Sequence, residues 1–261
     1  MNNLNIAIIT GASSGIGREF VMQLDKTEKF DEIWLIARRK TNLESVARKV
    51  SAKTRILDLD LTKPEDLQKY REMLDIVTPN VRYLVNAAGY GRFGNYNELS
   101  LETLMNMIDL NDKALVYMST VTVKYMSLGS HIINLGSASS FFPLINFNVY
   151  ASTKAFVVHY SNALHDELKR RGISVTAVCP GWVETDFFKV ADNNNKIHGP
   201  KTYRPMYEVK EVVERALKDA RKNKKFSVYG LYTKLHRFGA RFFPRKFMLM
   251  QWQSMQKKVK K

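Results

Sequence analysis

Cysteine is nearly absent from this sequence: Cys179 stands alone in 261 residues. A lone cysteine excludes an internal disulfide and a cysteine-based metal cluster, and it reads as a small core residue. Long apolar runs are missing too. No stretch approaches the roughly 18 apolar residues a membrane-spanning helix needs. No charged leader or cleavage site precedes the apolar run that starts at Leu4, so a soluble, cytoplasmic protein is expected. Low-complexity linkers and a fixed internal repeat are also lacking, so nothing argues for a solenoid or a second folded unit. The last absence is of acid. Residues 230–261 hold nine Lys and Arg and no Asp or Glu, so more than half of the net charge of +16 sits there and residues 1–229 carry only +7. A basic surface spread over the main body, as nucleic-acid binding demands, is not expected.

What is present is a hydrophobic content of 45%, enough for one sizeable core. Short apolar or β-branched runs at 5–10, 32–37, 54–59, 81–86, 131–136 and 173–179 read as buried strands, with a weak seventh near 226–229. Between them, helical spacing covers 16–26, 41–50, 64–77, 101–125, 149–171 and 208–222. Strands alternating with helices imply right-handed βαβ units and a parallel sheet covered on both faces. The expected architecture is α/β: a doubly wound (Rossmann) seven-stranded parallel sheet over residues 1–229. The stretch 182–207, with its NNN, HGP and RP signals, reads as a long irregular loop of the kind that serves as a functional lid.

The first strand ends in TGASSGIG, Thr10 to Gly17, and runs straight into a helix. Gly11 permits the tight turn, Gly15 lets the backbone approach a pyrophosphate, and Gly17 lets the helix pack closely on the strand. With Ser13, Ser14 and Ile16 they form a candidate cradle in which helix N-terminal amides face phosphates. About 20 residues beyond such a loop, an acid would accept from the ribose 2′-hydroxyl of NAD. Here the second strand ends in Ala37, Arg38 and Arg39, with no carboxylate. A guanidinium suits a 2′-phosphate, so the expected cofactor is NADP(H).

With TGASSGIG, Asp60 after the third strand, NAAG (Asn86 to Gly89), Asn111, Ser137, YASTK (Tyr150 to Lys154) and PGWVET (Pro180 to Thr185), the sequence resembles the short-chain dehydrogenase/reductase family, NADP-preferring type. Seven motifs in order cover the chain to about residue 190. The resemblance implies that Asp60, with Leu61, holds the adenine. It implies that Asn86, Ala87, Ala88 and Gly89 line the floor of the cofactor site, and that Pro180, Gly181, Val183 and Thr185 flank the nicotinamide. Asn111 matches the family's fourth catalytic position, a helix residue holding the water that links Lys154 to solvent.

Chemistry gives a reason for the spacing of the other three. Ser137 ends the fifth strand and Tyr150 begins a helix, so both can point to the carboxyl edge of the sheet, and Lys154 lies one turn beyond Tyr150. Tyrosine ordinarily titrates near pH ~10, and a lysine cation beside it, with the positive nicotinamide of the oxidised complex, favours the phenolate. Tyr150 is then a proton donor to a forming alkoxide, and Ser137 a hydrogen-bond partner of the substrate oxygen. The expected reaction is NADPH-dependent interconversion of a ketone and a secondary alcohol on a small-molecule substrate. A non-catalytic NADP-binding sensor or scaffold would be signalled by loss of Tyr150 or Lys154, and both are present. Phe141, Phe142, Phe147, Trp182, Phe187 and Phe188 flank the site motifs, either as core packing or as an apolar pocket for a steroid, acyl or similar ketone; Tyr90 and Phe93 could join them.

The family resemblance stops short of the basic amphipathic extension, 230–261. There Leu231, Leu235, Phe238 and Phe242 follow helical spacing, Pro244 interrupts, and Met248, Trp252, Met255 and Val259 resume it. Lys234, Arg237, Arg241 and Arg245 run parallel as a basic stripe. Two readings stay open: packing on the chain's own domain or a neighbouring subunit of a homodimer or homotetramer, and peripheral contact with an anionic membrane.

Overall fold

A computed structural model describes residues 4–191 and 199–256. The strands, in chain order, are β1 (Asn5–Thr10), β2 (Glu32–Ile36), β3 (Thr54–Leu57), β4 (Asn80–Asn86), β5 (His131–Leu135), β6 (Ser174–Val178), β7 (Trp182–Val183), β8 (Met206–Tyr207) and β9 (Phe226–Ser227). Seven of them form one sheet in the order β3-β2-β1-β4-β5-β6-β9, every pair parallel. The order reverses between β1 and β4, and that is where an open α/β sheet leaves a crevice beyond its carboxyl ends.

Alternation along each strand explains the two-faced core. Ile6 and Ile8 of β1 point to one face and Ala7 and Ile9 to the other, and all four are fully buried. The first face is covered by α3 (Pro64–Val77) through Leu67, Tyr70 and Leu74, by α5 (Ala114–Thr122) through Ala114 and Met118, and by the end of α6 (Asn148–Leu168). The second is covered by α1 (Gly15–Thr27) through Phe20, Val21 and Leu24, by α2 (Lys40–Ala47), and by α8 (Val209–Arg221) through Val213, Ala216 and Leu217.

Two expectations need revision. The segment 101–125 is not one helix: α4 (Leu101–Ile108) passes through a π-helical turn at Asp109–Lys113 before α5, and a short 3-10 turn closes it at Val123–Tyr125. Such π turns occur mostly as single insertions within α-helices, frequently at functional sites, and this one carries Asn111. Nor is 182–207 irregular throughout. It holds β7, the short helix α7 (Phe187–Ala191) and β8, with β7 and β8 paired in parallel as a separate ribbon. The asparagine run at 193–195 lies outside the described residues.

Two helices end the described chain, α9 (Leu231–Phe242) and α10 (Arg245–Met255), with Pro244 capping the second. α10 packs inward. Met248 and Trp252 are buried, the Trp252 indole donates to the Ile145 carbonyl at 2.9 Å, and Gln256 Nε2 donates to the same oxygen at 3.0 Å. α9 behaves otherwise, burying Thr233 and Gly239 while Leu231, Leu235, Phe238 and Phe242 face outward. Arg237 also departs from the expected stripe: its guanidinium stacks over the Phe226 ring, 3.9 Å from the centroid. Val259 lies outside the described residues. No helix among the described residues is long and apolar enough to cross a membrane.

Candidate active site

A cavity of about 580 Å³ opens at the carboxyl edge of the sheet, where the loops after β1, β2, β3 and β4 meet those after β5 and β6. Its nucleotide end is built mainly from backbone. Gly11 has φ +67°, and a Cβ there would lie 2.9 Å from the Ala88 nitrogen. A Cβ on Gly17 would run into the Gly11 carbonyl, so the start of α1 sits directly on the turn. Thr10 Oγ1 locks the turn to β4, accepting from the amides of Ala87 at 3.1 Å and Ala88 at 3.0 Å.

The chemistry of this end fits a dinucleotide. Ser14, the N-cap of α1, makes no side-chain cap hydrogen bond, and the first turn holds no acid, so its donors are left for an anion. Arg38 and Arg39 lie on the wall just after β2, and Ser13, Ser14, Gly15, Ile16, Asp60, Leu61, Ala87, Ala88 and Gly89 complete it. Asp60 is locally engaged: its Oδ1 accepts from the Thr62 amide at 3.1 Å and the Thr62 hydroxyl at 2.8 Å. Asn86 is not on the wall. Its Nδ2 donates to Ser119 Oγ at 3.1 Å and Asn134 Oδ1 at 2.9 Å, which makes it a buried tie between β4 and β5 rather than a direct cofactor contact.

At the other end of the same wall stand Ser137, Tyr150 and Lys154. Ser137 follows β5 as the N-cap of a 3-10 turn, Ala138–Phe141, its Oγ accepting from the Ser139 amide while its own amide donates to Ser140 Oγ. Ser139 and Ser140 are thus turn residues, though Ser139 also reaches the wall. Tyr150 opens α6 with its phenol towards Ser137, and Lys154 Nζ donates to the Leu135 carbonyl at 2.7 Å, 5.7 Å from the Tyr150 ring centre. Burial raises the Tyr150 phenol above its ordinary value, with the Ser137 hydrogen bond pulling the other way, and burial brings Lys154 down to about 8. The phenolate expected from the lysine charge is outweighed by desolvation, so the protein alone holds Tyr150 as a neutral acid.

Asn111 lies behind this group rather than on the wall. Its Oδ1 accepts from the Tyr90 amide and its Nδ2 donates to the Tyr90 carbonyl and Thr153 Oγ1, so the side chain itself is occupied in holding the β4 loop against α6. Gly89 fits between it and the lysine: a Cβ would sit 2.8 Å from Asn111 Oδ1 and 3.3 Å from Lys154 Nζ. The neighbouring Asp112 carries no motif and was not expected. One of its buried oxygens has no hydrogen-bond partner among the described residues, and burial raises its carboxyl to about 7 against the opposing charge of Lys154.

The substrate end is built from side chains. Phe142, Phe147, Trp182, Phe187, Phe188 and Tyr90 line it; Phe93 stacks behind Phe147 at 4.0 Å, and Phe141 turns away to pack near Cys179 and Val228. Pro180, Gly181, Val183 and Thr185 border the junction of the two ends. Several contributors escaped the sequence analysis. Gly91 leaves room for the Tyr150 ring, since a Cβ would lie 2.7 Å from its Cδ2; Tyr232 and His236 reach the wall from α9, as Trp252 does from α10. His236 sits edge-on to Phe142 at 4.7 Å, and burial lowers its pKa. Helical spacing in the tail was the available signal, but it does not say which face meets the cavity.

The short chain dehydrogenase family pattern matches residues 5–196, and the chain belongs to that family; its chemistry is that of an oxidoreductase. An uncharacterized oxidoreductase of Staphylococcus epidermidis is 30% identical over 189 residues, which cover 72% of this chain and 81% of that protein. Among solved structures, a short-chain dehydrogenase from Sphingobium yanoikuyae in complex with NADPH is 27% identical, with a TM-score of 0.76 over 94% of this chain and 95% of that one. A bulky-bulky ketone specific alcohol dehydrogenase from Comamonas testosteroni shares the fold at 24% identity and a TM-score of 0.73, covering 95% and 94% of the two chains.

Proposed function

We propose that this protein is an NADPH-dependent reductase of apolar ketones, interconverting ketone and secondary alcohol. The observation that carries the reading is the pairing within one cavity of Arg38 and Arg39 at the nucleotide end with Ser137, Tyr150 and Lys154 under an aromatic wall. The NADPH bound by the Sphingobium relative supports the choice of cofactor. Arg38 and Arg39 would grip the 2′-phosphate, the amides at the start of α1 the pyrophosphate, and Thr185 and Val183 would border the nicotinamide.

When bound, NADPH supplies the hydride to the carbonyl carbon. The protein's part is orientation and the proton. Ser137 and Tyr150 hydrogen-bond the carbonyl oxygen, and as charge develops there Tyr150 gives up its proton. The phenolate left behind is stabilised by the Lys154 cation and takes its proton back from Lys154, which is in turn reprotonated from solvent; Gly89 is packed beside that ammonium. The aromatic wall favours a substrate with bulky apolar groups on the carbonyl and keeps water from the site. A cytoplasmic homodimer or homotetramer fits the apolar Leu101, Met105 and Phe156, which stand exposed on α4 and α6.

The test is NADPH oxidation against a panel of ketones by the wild type and Tyr150→Phe. Turnover should fall by roughly 10²- to 10⁴-fold while NADPH titration is unchanged. Undiminished turnover in the variant, or NADPH binding with no turnover on any ketone by the wild type, would sink the reading; the latter would favour a sensor.

A further inference from the structure

Helix α9 is mounted inside out. The side it turns to the protein is small or polar: Thr233 and Gly239 are buried, and Arg237 is stacked on Phe226. The side it turns away is apolar, with Leu231 72%, Leu235 59%, Phe238 63% and Phe242 63% exposed. The outward rings continue past Pro244 through Phe243 and Phe247, which contact each other at 5.2 Å, to Met250. Single exposed apolar side chains need no explanation, but a run of seven along two successive helices marks a contact surface.

Charge identifies what the surface contacts. Lys234, Arg241, Arg245 and Lys246 are exposed along the same run, the sequence adds four lysines at 257–261, and no acid occurs from 230 onward. A second copy of the chain docked on this face would bring the four exposed cations Lys234, Arg241, Arg245 and Lys246 against four more. An anionic bilayer offers the complement: acyl chains for the rings and lipid phosphates and carboxylates for the cations.

The inner side of the same helix reaches the active site. Tyr232, Thr233 and His236 of α9, with Trp252 and Met255 of α10, line the substrate end of the cavity. A single helix thus separates the exposed apolar face from the cavity. We propose that α9 and the start of α10 seat the protein on an anionic membrane surface, and that its ketone is a lipid-soluble molecule taken from that bilayer. The second clause rests on the reductase reading; the first does not.

The experiment is sedimentation of the full chain with vesicles of phosphatidylcholine alone or mixed in equal parts with phosphatidylserine. The mixed vesicles should carry the protein down, and high salt should release it, because charge attraction at the surface is screened. The triple variant Leu235→Ser, Phe238→Ser, Phe242→Ser should bind at least about tenfold more weakly with unchanged melting, since none of the three packs on the domain. Lys234→Glu with Arg241→Glu should have the same effect while leaving the apolar face intact. For a long-chain ketone dissolved in mixed vesicles, turnover by the triple variant should fall about tenfold, and for a short water-soluble ketone it should not change.

Equal binding to neutral vesicles, or undiminished binding by either variant, would overturn the membrane assignment. So would absence of vesicle binding, and a dimer abolished by the serine variant would then assign the face to a second copy. Equal behaviour of the variant towards the two ketones would overturn the route from the bilayer. Failure of the reductase reading would appear separately, as vesicle binding without turnover on any ketone.

Discussion

The two ends of the cavity are made of different material. The nucleotide end is backbone: glycine turns, helix-start amides and the Thr10 lock, from segments that follow one another along β1 to β4. The substrate end is side chain: aromatic rings from the β5 loop, the start of α6, α7 and two helices at the far end of the sequence. Backbone geometry demands particular residues at fixed spacing, whereas a ring can be supplied from any element that comes near. The first end is therefore specified by short motifs and the second by tertiary packing.

If that division holds, perturbing one end should leave the other alone. The largest effect is expected for Trp252→Ala, which removes a buried ring and its bond to Ile145. Truncating a buried aromatic costs about 3–5 kcal/mol, so chemical denaturation should show a loss of that order. KM for a bulky ketone should rise while NADPH affinity, measured on the folded fraction, stays put. The converse is Arg38→Asp. Losing a hydrogen bond to a charged group costs roughly 1.5–3 kcal/mol, so NADPH should bind about ten- to a hundredfold more weakly, with repulsion adding to this and ketone KM little changed. An NADPH preference equal to wild type would place the 2′-phosphate on Arg39, on Ser13 or on Arg18, the residue directly after Gly17.

A third substitution probes the layer behind the catalytic group, outside both ends. Asp112 keeps its proton in the folded protein to about pH 7, above the ordinary carboxylate value of 3.8. The native state then binds more protons than the unfolded chain between those values, so stability falls as pH rises from about 4 to 7 and levels off above. A full shift of that size corresponds to about 4 kcal/mol, and partial exposure reduces it to roughly 1–2 kcal/mol. Asp112→Asn should therefore melt higher than wild type at pH 8 and equally at pH 4; parallel melting curves at the two pH values would remove Asp112 from the balance. The smallest effect is expected at Phe141→Leu. Its ring turns away from the cavity, so ketone KM and NADPH affinity should both stay within about twofold of wild type, at a stability loss below about 1.5 kcal/mol.

The same division explains what could be read in advance. The seven strands were legible because a sheet buried on both faces demands unbroken apolar runs, and the glycine loop because positive φ and close approach admit little else. The pair Tyr150 and Lys154 was legible because one helical turn separates them. The π turn at Asp109–Lys113 was not, since its residues fit an ordinary helix and only packing against Tyr90 and Thr153 gives the insertion a reason. Nor was Asp112's burial, which depends on α6 closing over it. In the tail, helical spacing located α9 and α10 but not their orientation. Trp252 is tied inward by its indole N–H on the Ile145 carbonyl, an oxygen it shares with Gln256, while α9 is held by contacts on its polar side.

The Thr10 lock has a consequence for synthesis. Its hydroxyl accepts amides 77 and 78 residues further along the chain, so the glycine turn can be closed only after β4 has emerged and paired with β1. β2 leaves the ribosome earlier and supplies one bond to the turn, from the Ala12 amide to the Ile36 carbonyl at 3.3 Å, but the Thr10 bonds wait for β4. A contact of such long sequence separation forms late, after the loop-closure entropy has been met. A nascent chain that ends before Ala88 thus has strands and a helix but no finished nucleotide site, so stabilisation of the complete site by bound cofactor begins only after that point.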